Sequence, residues 1–363
     1  MPVLRARQIL IVTSLVVAAA ASAAAHPVPF TYLDLRVDRD AVDGTLVAHI
    51  FDIGHDLNLP PERFLEPVTP ERAAAVVALL APRVTIAADG RVLTAAWSGV
   101  EAVPDRQSLR LHVRYALAAP AGTLTVTTGF FPYDPNHQTF LNVYEGSALT
   151  QAILDAGRPR FEYYAGTRRG ALAVMRTFVP AGIKHILTGP EHIVFLVGLM
   201  LLGGTLGHLA LVVTAFTVAH GITLSLAALN IVTPPARLVE PAIALSVVYL
   251  GADNLLVSGP KGGRDVRAWI AFAFGFIHGF GFASVLGNAE LPTRALAWAL
   301  VFFNVGIEIG QLAVVVAVAL AISALRSRSE AAGRQLAFAG SVVVIVAGTF
   351  WFVQRVFFPG GIS

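Results

Sequence analysis

The 363-residue chain has no cysteine, three methionines and few charges, with Asp, Glu, Lys and Arg making up 13%. Without cysteine there can be no disulfide, thiolate metal site or cysteine nucleophile. Copper(I), which favours soft sulfur ligands, is disfavoured because only Met175 and Met200 would remain once an N-terminal signal is removed. Charged residues make up about a quarter of a soluble domain. Here they give way to 55% hydrophobic residues, so much of the chain has a solvent other than water. The net charge of +3 is too small and too dispersed to suggest nucleic acid. No glycine-rich phosphate loop with its lysine is present, which argues against ATP as a driver. There is no internal repeat or low-complexity tract.

What is present begins like an exported protein. Arg5 and Arg7 precede the apolar stretch Ile9 to Ala20 and then Ala23-Ala24-Ala25, the three parts of a secretory signal peptide over residues 1–25. Cleavage there would make His26 a chelating N-terminus. Residues 26–165 read as an extracytoplasmic antiparallel β-sandwich. Period-two stretches at Tyr32 to Val37, Gly44 to Ile53, Ser108 to Leu117 and Gly122 to Phe130 are separated by Gly, Pro and Asp turns, with a helix expected from Pro61 to Leu80. His55-Asp56 and Asp134-Pro135-Asn136-His137 fall in loops or at strand ends, where function or plain solvation places such residues. Residues 166–182, with Arg168, Arg169 and Arg176 between apolar positions, suggest an amphipathic junction on a membrane surface.

Residues 183–358 read as an all-α bundle of about six transmembrane helices, at 183–204, 207–229, 238–257, 267–287, 295–325 and 337–357. Residues 193–236 contain no charged side chain at all. Lys261, Arg264, Arg267, Arg326, Arg328 and Arg334 fall in the loops that an exported N-terminal domain places inside, as the positive-inside rule requires. The expected location is therefore the inner membrane, with the N-terminal domain and the C-terminus outside.

The spans carry polar groups that an anchor would not need. His185 is followed seven residues later by Glu191-His192, across Gly189-Pro190. Proline lacks an N–H and clashes one turn back, so this span either breaks at depth around a cavity or starts at Pro190 with His185 in a loop. His192, His220 and His278 each lie nine residues from the outer end of a span, which is ~14 Å deep, and Glu308 lies at roughly 18 Å. Four ionisable groups from four helices are thus expected in one layer. Imidazoles with carboxylates suit a divalent transition metal. Structural alternatives stand beside this reading. Asn304, Gln311 and His220 can bond across helix interfaces. Glu240 can cap a helix N-terminus, and Asp253 can pair with Lys261 or Arg264.

Five blocks in order resemble the HupE/UreJ family of nickel or cobalt permeases over residues 181–312. They are Gly-Ile-Lys-His-Ile-Leu-Thr-Gly-Pro-Glu-His, Ala-Phe-Thr-Val-Ala-His-Gly-Ile-Thr-Leu, Val-Glu-Pro-Ala-Ile-Ala-Leu-Ser, Phe-Gly-Phe-Ile-His-Gly-Phe-Gly-Phe-Ala and Phe-Phe-Asn-Val-Gly-Ile-Glu-Ile-Gly-Gln. Glu191 stands where the family has Asp, and Gly281, Phe282 and Ala283 replace further His and Glu residues of the second signature, so only His278 carries over there. The resemblance implies a permease and no enzyme, with nickel or cobalt as substrate and no prosthetic group. The metal would pass His185, Glu191 and His192, then His220, His278 and Glu308, and leave near Asp253, with Glu240, Asn304 and His26 as lesser ligands. Partners would be the ion and membrane lipid, with a homo-oligomer or a metallochaperone left open. The alternatives are an intramembrane metalloenzyme and a non-transporting accessory that hands metal to an assembling enzyme.

Overall fold

The structure is a computed structural model and describes residues 30–256, 265–282 and 291–358. The expected signal peptide, His26, Lys261, Arg264 and Ala283 lie outside the described residues. The chain folds as two compact units. The second comprises residues 87–91, 118–125 and everything from Glu162 onward.

The first unit is built on a six-stranded sheet in the order β5-β6-β2-β1-β8-β9. These strands are β1 (Thr31–Val37), β2 (Ala41–His49), β5 (Ala95–Val103), β6 (Ser108–Ala116), β8 (Thr139–Glu145) and β9 (Ala148–Leu154). A smaller sheet runs β10-β7-β3-β4, from β3 (Val84–Ala88), β4 (Arg91–Val92), β7 (Thr123–Thr128) and β10 (Arg160–Tyr164). Period two is plain in β1, where Leu33 and Leu35 are buried while Tyr32 and Arg36 are exposed. The expectation of a purely antiparallel architecture needs correcting, because β1 pairs parallel with β8. A parallel neighbour needs a long connection, and residues 38–138 separate the two strands.

Two local expectations also change. The strand expected to reach Ile53 ends at His49, whose side chain accepts from Phe51 N–H and caps helix α1 (Ile50–Leu57). Asn58 closes that helix in the left-handed conformation, its N–H donating to Gly54 O and His55 O. The helix expected over 61–80 is a 3₁₀ turn, Pro61–Phe64, and then α2 (Pro70–Leu80), because Pro67 and Pro70 interrupt the run and Thr69 caps a new start. Gly44 tests the sheet packing. A Cβ there would sit 2.6 Å from Val113 Cγ1 and 3.2 Å from Leu35 Cδ2. Gly44→Val should therefore cost about 1–3 kcal/mol, read as an earlier first transition in calorimetry of the full chain.

The second unit is helical: α3 (Arg168–Thr188), α4 (Pro190–Met200), α5 (Leu206–Ala228), α6 (Ala236–Leu256), α7 (Arg267–His278), α8 (Thr293–Arg328) and α9 (Glu330–Phe357). Among the described residues four helices, α5, α6, α8 and α9, are long and apolar enough to cross a membrane. The apolar window of α9 is only 17% buried, and Phe338, Val343 and Val346 are each more than 60% exposed. A face like that suits lipid rather than water.

The first expected span is not one helix. Helix α3 begins at Arg168, capped by Thr167, and runs through the expected junction to Thr188. The chain then breaks at Gly189, and Pro190 opens α4 at its first position. Both halves of the proline argument hold in part, since the helix is broken and His185 lies in the last turn of α3 rather than in a loop.

Glycines set the helix contacts and their directions. Gly306 and Gly310 of α8 pack on Val179, Gly182, Ile183 and Ile186 of α3, so these helices run parallel. Gly275 and Gly279, closing α7, pack on Phe216 and on His220 and Thr223 of α5, again parallel. In the antiparallel pair α6 and α9, Gly251 meets Ser341 and Ile345 while Gly348 meets Ala244 and Val248. Both parallel contacts use Gly-x-x-x-Gly, the spacing that lets backbones approach closely in a membrane.

Basic residues close one end of the bundle. Arg326 Nη2 donates to Leu201 O and Arg267 Nη1 to Gly203 O, each at 2.7 Å, so guanidinium groups cap the carbonyl end of α4. Asp265 holds Arg267 and lies 2.9 Å from His208 Nε2. Hydrogen bonds from Arg267 are the main reason that its carboxyl is pushed down to about 2. This clasp is fully present above the ordinary carboxylate range and is lost only as pH falls through about 2.

Candidate metal site

The break at Gly189 makes the site. His185, in the last turn of α3, and His192, in the first turn of α4, face each other with ring centroids 4.7 Å apart. The linking residue must be small: a Cβ on Gly189 would sit 2.7 Å from His192 Nδ1 and 2.9 Å from His185 O. Helix α5 brings His220, its ring 6.2 Å from that of His185. One ring nitrogen from each of His185, His192 and His220 lies within 4.8 Å of the others. Four-coordinate ligands with bonds of 2.0–2.1 Å sit about 3.4 Å apart, so small side-chain rotations would close this set on one ion.

Two of the three rings carry unbonded nitrogens. His192 Nε2 and both ring nitrogens of His220 are buried without a hydrogen bond of normal geometry among the described residues. Asn304 is the polar neighbour nearest to supplying one to His220. Buried polar atoms left in this state are costly and call for a ligand. His278, from the end of α7, stands beside the three with its ring 5.5 Å from His192. Ser246 Oγ on α6 lies 2.9 Å from His278 Nε2, which orients the ring and leaves Nδ1 unbonded. Phe195, Phe216 and Phe303 wall the group with ring centroids 5.2–5.9 Å from the histidines they face.

Of His192, His220, His278 and Glu308, the three histidines come together and Glu308 is bonded elsewhere. Glu308 accepts from Thr214 Oγ1 at 2.6 Å, and its Oε2 is buried without a partner. Thr214 lies six residues before His220 on α5, about 9 Å along the axis. Glu308 contributes none of the ligand atoms gathered with the histidines. Counting residues from span ends treats helices as upright rods, and crossing helices shift their levels.

Glu191 is also drawn elsewhere. Its carboxylate accepts from Arg355 Nη2 of α9, and Arg355 Nε lies 3.7 Å from Glu240 Oε2. The two acidic candidates thus meet on one arginine instead of on the histidines. Arg355 went unnoticed in the sequence, although an arginine near the end of the last apolar run was a legible signal. Asn304 Nδ2 donates to Leu300 O at 2.7 Å, and its side chain lies 3.1 Å from where a Gly221 Cβ would be. Gln311 joins Thr217 across the α5–α8 contact at 2.8 Å, as an interhelical bond. Asp253 sits near the end of α6 away from the histidines, beside Asn254, whose Nδ2 donates to Gly198 O at 2.8 Å.

Residues 164–355 match the protein family described as HupE / UreJ protein. No curated protein matches the chain.

Proposed function

The chain belongs to the HupE/UreJ family, and on that premise we propose that it is a multi-pass permease for a divalent transition metal, nickel or cobalt. The observation that carries this is the set of three histidines, gathered from both sides of a helix break and from α5. Imidazole suits nickel and cobalt, and broken helices in membrane proteins often mark transport sites. The family's association with nickel and cobalt transport points the same way.

In this reading the N-terminal domain is exported, the protein lies in the inner membrane with six passes, and metal arrives from outside. His185 takes the ion first. Transfer to His192 and His220, with His278 turning in from Ser246, exchanges one imidazole at a time, so no state binds too tightly to release. Gly189 lets the two half-helices move against each other during that exchange. The path continues toward Glu308 and leaves near Asp253. An intramembrane hydrolase would need a general base beside the ion, and Glu191, the nearest carboxylate in sequence, is held by Arg355.

Uptake of radioactive nickel or cobalt into proteoliposomes tests the proposal. Purified protein should load vesicles well above protein-free controls. Tight binding to the protein with no accumulation in the lumen would favour an accessory that hands metal on.

A further inference from the structure

A second group of unspent donors lies in the first unit, far along the chain from the membrane helices. Asp52 and His137 are 0% and 5% exposed. Asp52 stands in the first turn of α1, on its buried face with Ile53. His137 ends a tight loop in which Asn136 N–H donates to Asp134 Oδ1 and His137 N–H to Asp134 O. The loop is anchored to the start of β1, where Thr31 N–H donates to Gln138 O and Thr31 Oγ1 lies 3.0 Å from His137 Nε2.

Each side chain uses one polar atom and leaves the other bare. Asp52 Oδ1 accepts from Tyr133 OH. Asp52 Oδ2 and His137 Nδ1 are both buried without a hydrogen bond, and they face each other across 4.0 Å. That gap is too long for a hydrogen bond. Two bonds of 2.0–2.1 Å to one ion set their ligand atoms about 3.4 Å apart at a tetrahedral angle, so a small side-chain shift would bring both atoms onto one ion. In the tautomer whose Nε2–H donates to Thr31 Oγ1, the Nδ1 lone pair faces a carboxylate oxygen, an arrangement that a cation stabilises.

We infer that Asp52 and His137 form a second divalent-metal site, in the N-terminal domain, with water completing the shell beneath the Tyr133 ring. Tyr133 stacks on His55 at 3.7 Å and is 39% exposed, so the site is covered by a side chain that can turn aside. The role would be to collect the ion that the membrane histidines then carry. This role rests on the proposed transport function, whereas binding itself does not.

Cobalt(II) bound per chain, measured by equilibrium dialysis of the full-length protein in detergent, separates the two sites. The wild type should hold two ions, and His137→Gln and Asp52→Asn one each. The glutamine keeps a partner for Thr31 while removing the imidazole, so it also guards against loss of fold. His192→Ala should hold one ion, and the double variant His137→Gln/His192→Ala none. If His137→Gln and Asp52→Asn both leave the stoichiometry unchanged, the inference is overturned while the membrane site stands. If His137→Gln and Asp52→Asn each lose one ion while His192→Ala loses none, the inference stands and the membrane reading falls; loss in only one of the first two variants overturns the paired site.

Discussion

Replacing His192 by alanine should lower cobalt or nickel affinity at the membrane site by more than about 100-fold and abolish uptake. Loss of a group that merely orients a ligand already costs about 10–100-fold, and His192 is itself one of the three gathered rings. It stands in the first turn of α4, at the break that separates it from α3. Truncation removes an unbonded buried nitrogen and leaves no new unpaired charge, so the protein should remain inserted and monodisperse. Isothermal titration in a His137→Gln background isolates this site. Near-normal affinity in a folded His192→Ala protein would remove His192 from the ligand set.

Gly275→Val should have the second large effect, this time on assembly. The added branch would enter the Phe216 backbone, and the equivalent atom on Gly279 would meet His220 O and Thr223 Oγ1. Backbone cannot swing aside as a side-chain tip can, so α5 and α7 would have to part. Overpacking costs about 1–3 kcal/mol where side chains can yield, and this contact should exceed that range. Thermal unfolding in detergent should show a large loss of stability together with loss of cobalt binding, because His220 and His278 would separate. Gly207→Ala is the control, since nothing lies within 4 Å of its added methyl. Equal behaviour of the two variants would mean that the glycine spacing does not hold the site together.

Much of this was legible in the sequence, and the misses have physical causes. The histidines could be chosen because an imidazole inside an uncharged run needs a reason to be there, and three of the four expected within the bundle do gather with or beside His185. Gly189-Pro190 marked the break because proline cannot continue a helix. The positions of Glu191, Glu240 and Glu308 were less legible. Their partners, Arg355 and Thr214, are 164 and 94 residues distant or come from another helix, and no local pattern encodes such pairing. Helix α3 is expected only as a short amphipathic segment on the membrane surface, because Arg168, Arg169, Arg176 and Lys184 mask a face whose Gly182 meets Gly306 of α8. In the first unit, β1 and β2 followed from alternation, while the parallel β1–β8 pairing joins strands far apart in sequence.

X-ray absorption on the nickel-loaded His137→Gln protein tests the histidine site most directly. The account predicts a shell of three or four imidazole nitrogens at about 2.1 Å, with one imidazole fewer in His220→Ala. A shell of oxygens alone, or a spectrum that neither His192→Ala nor His220→Ala changes, would contradict it.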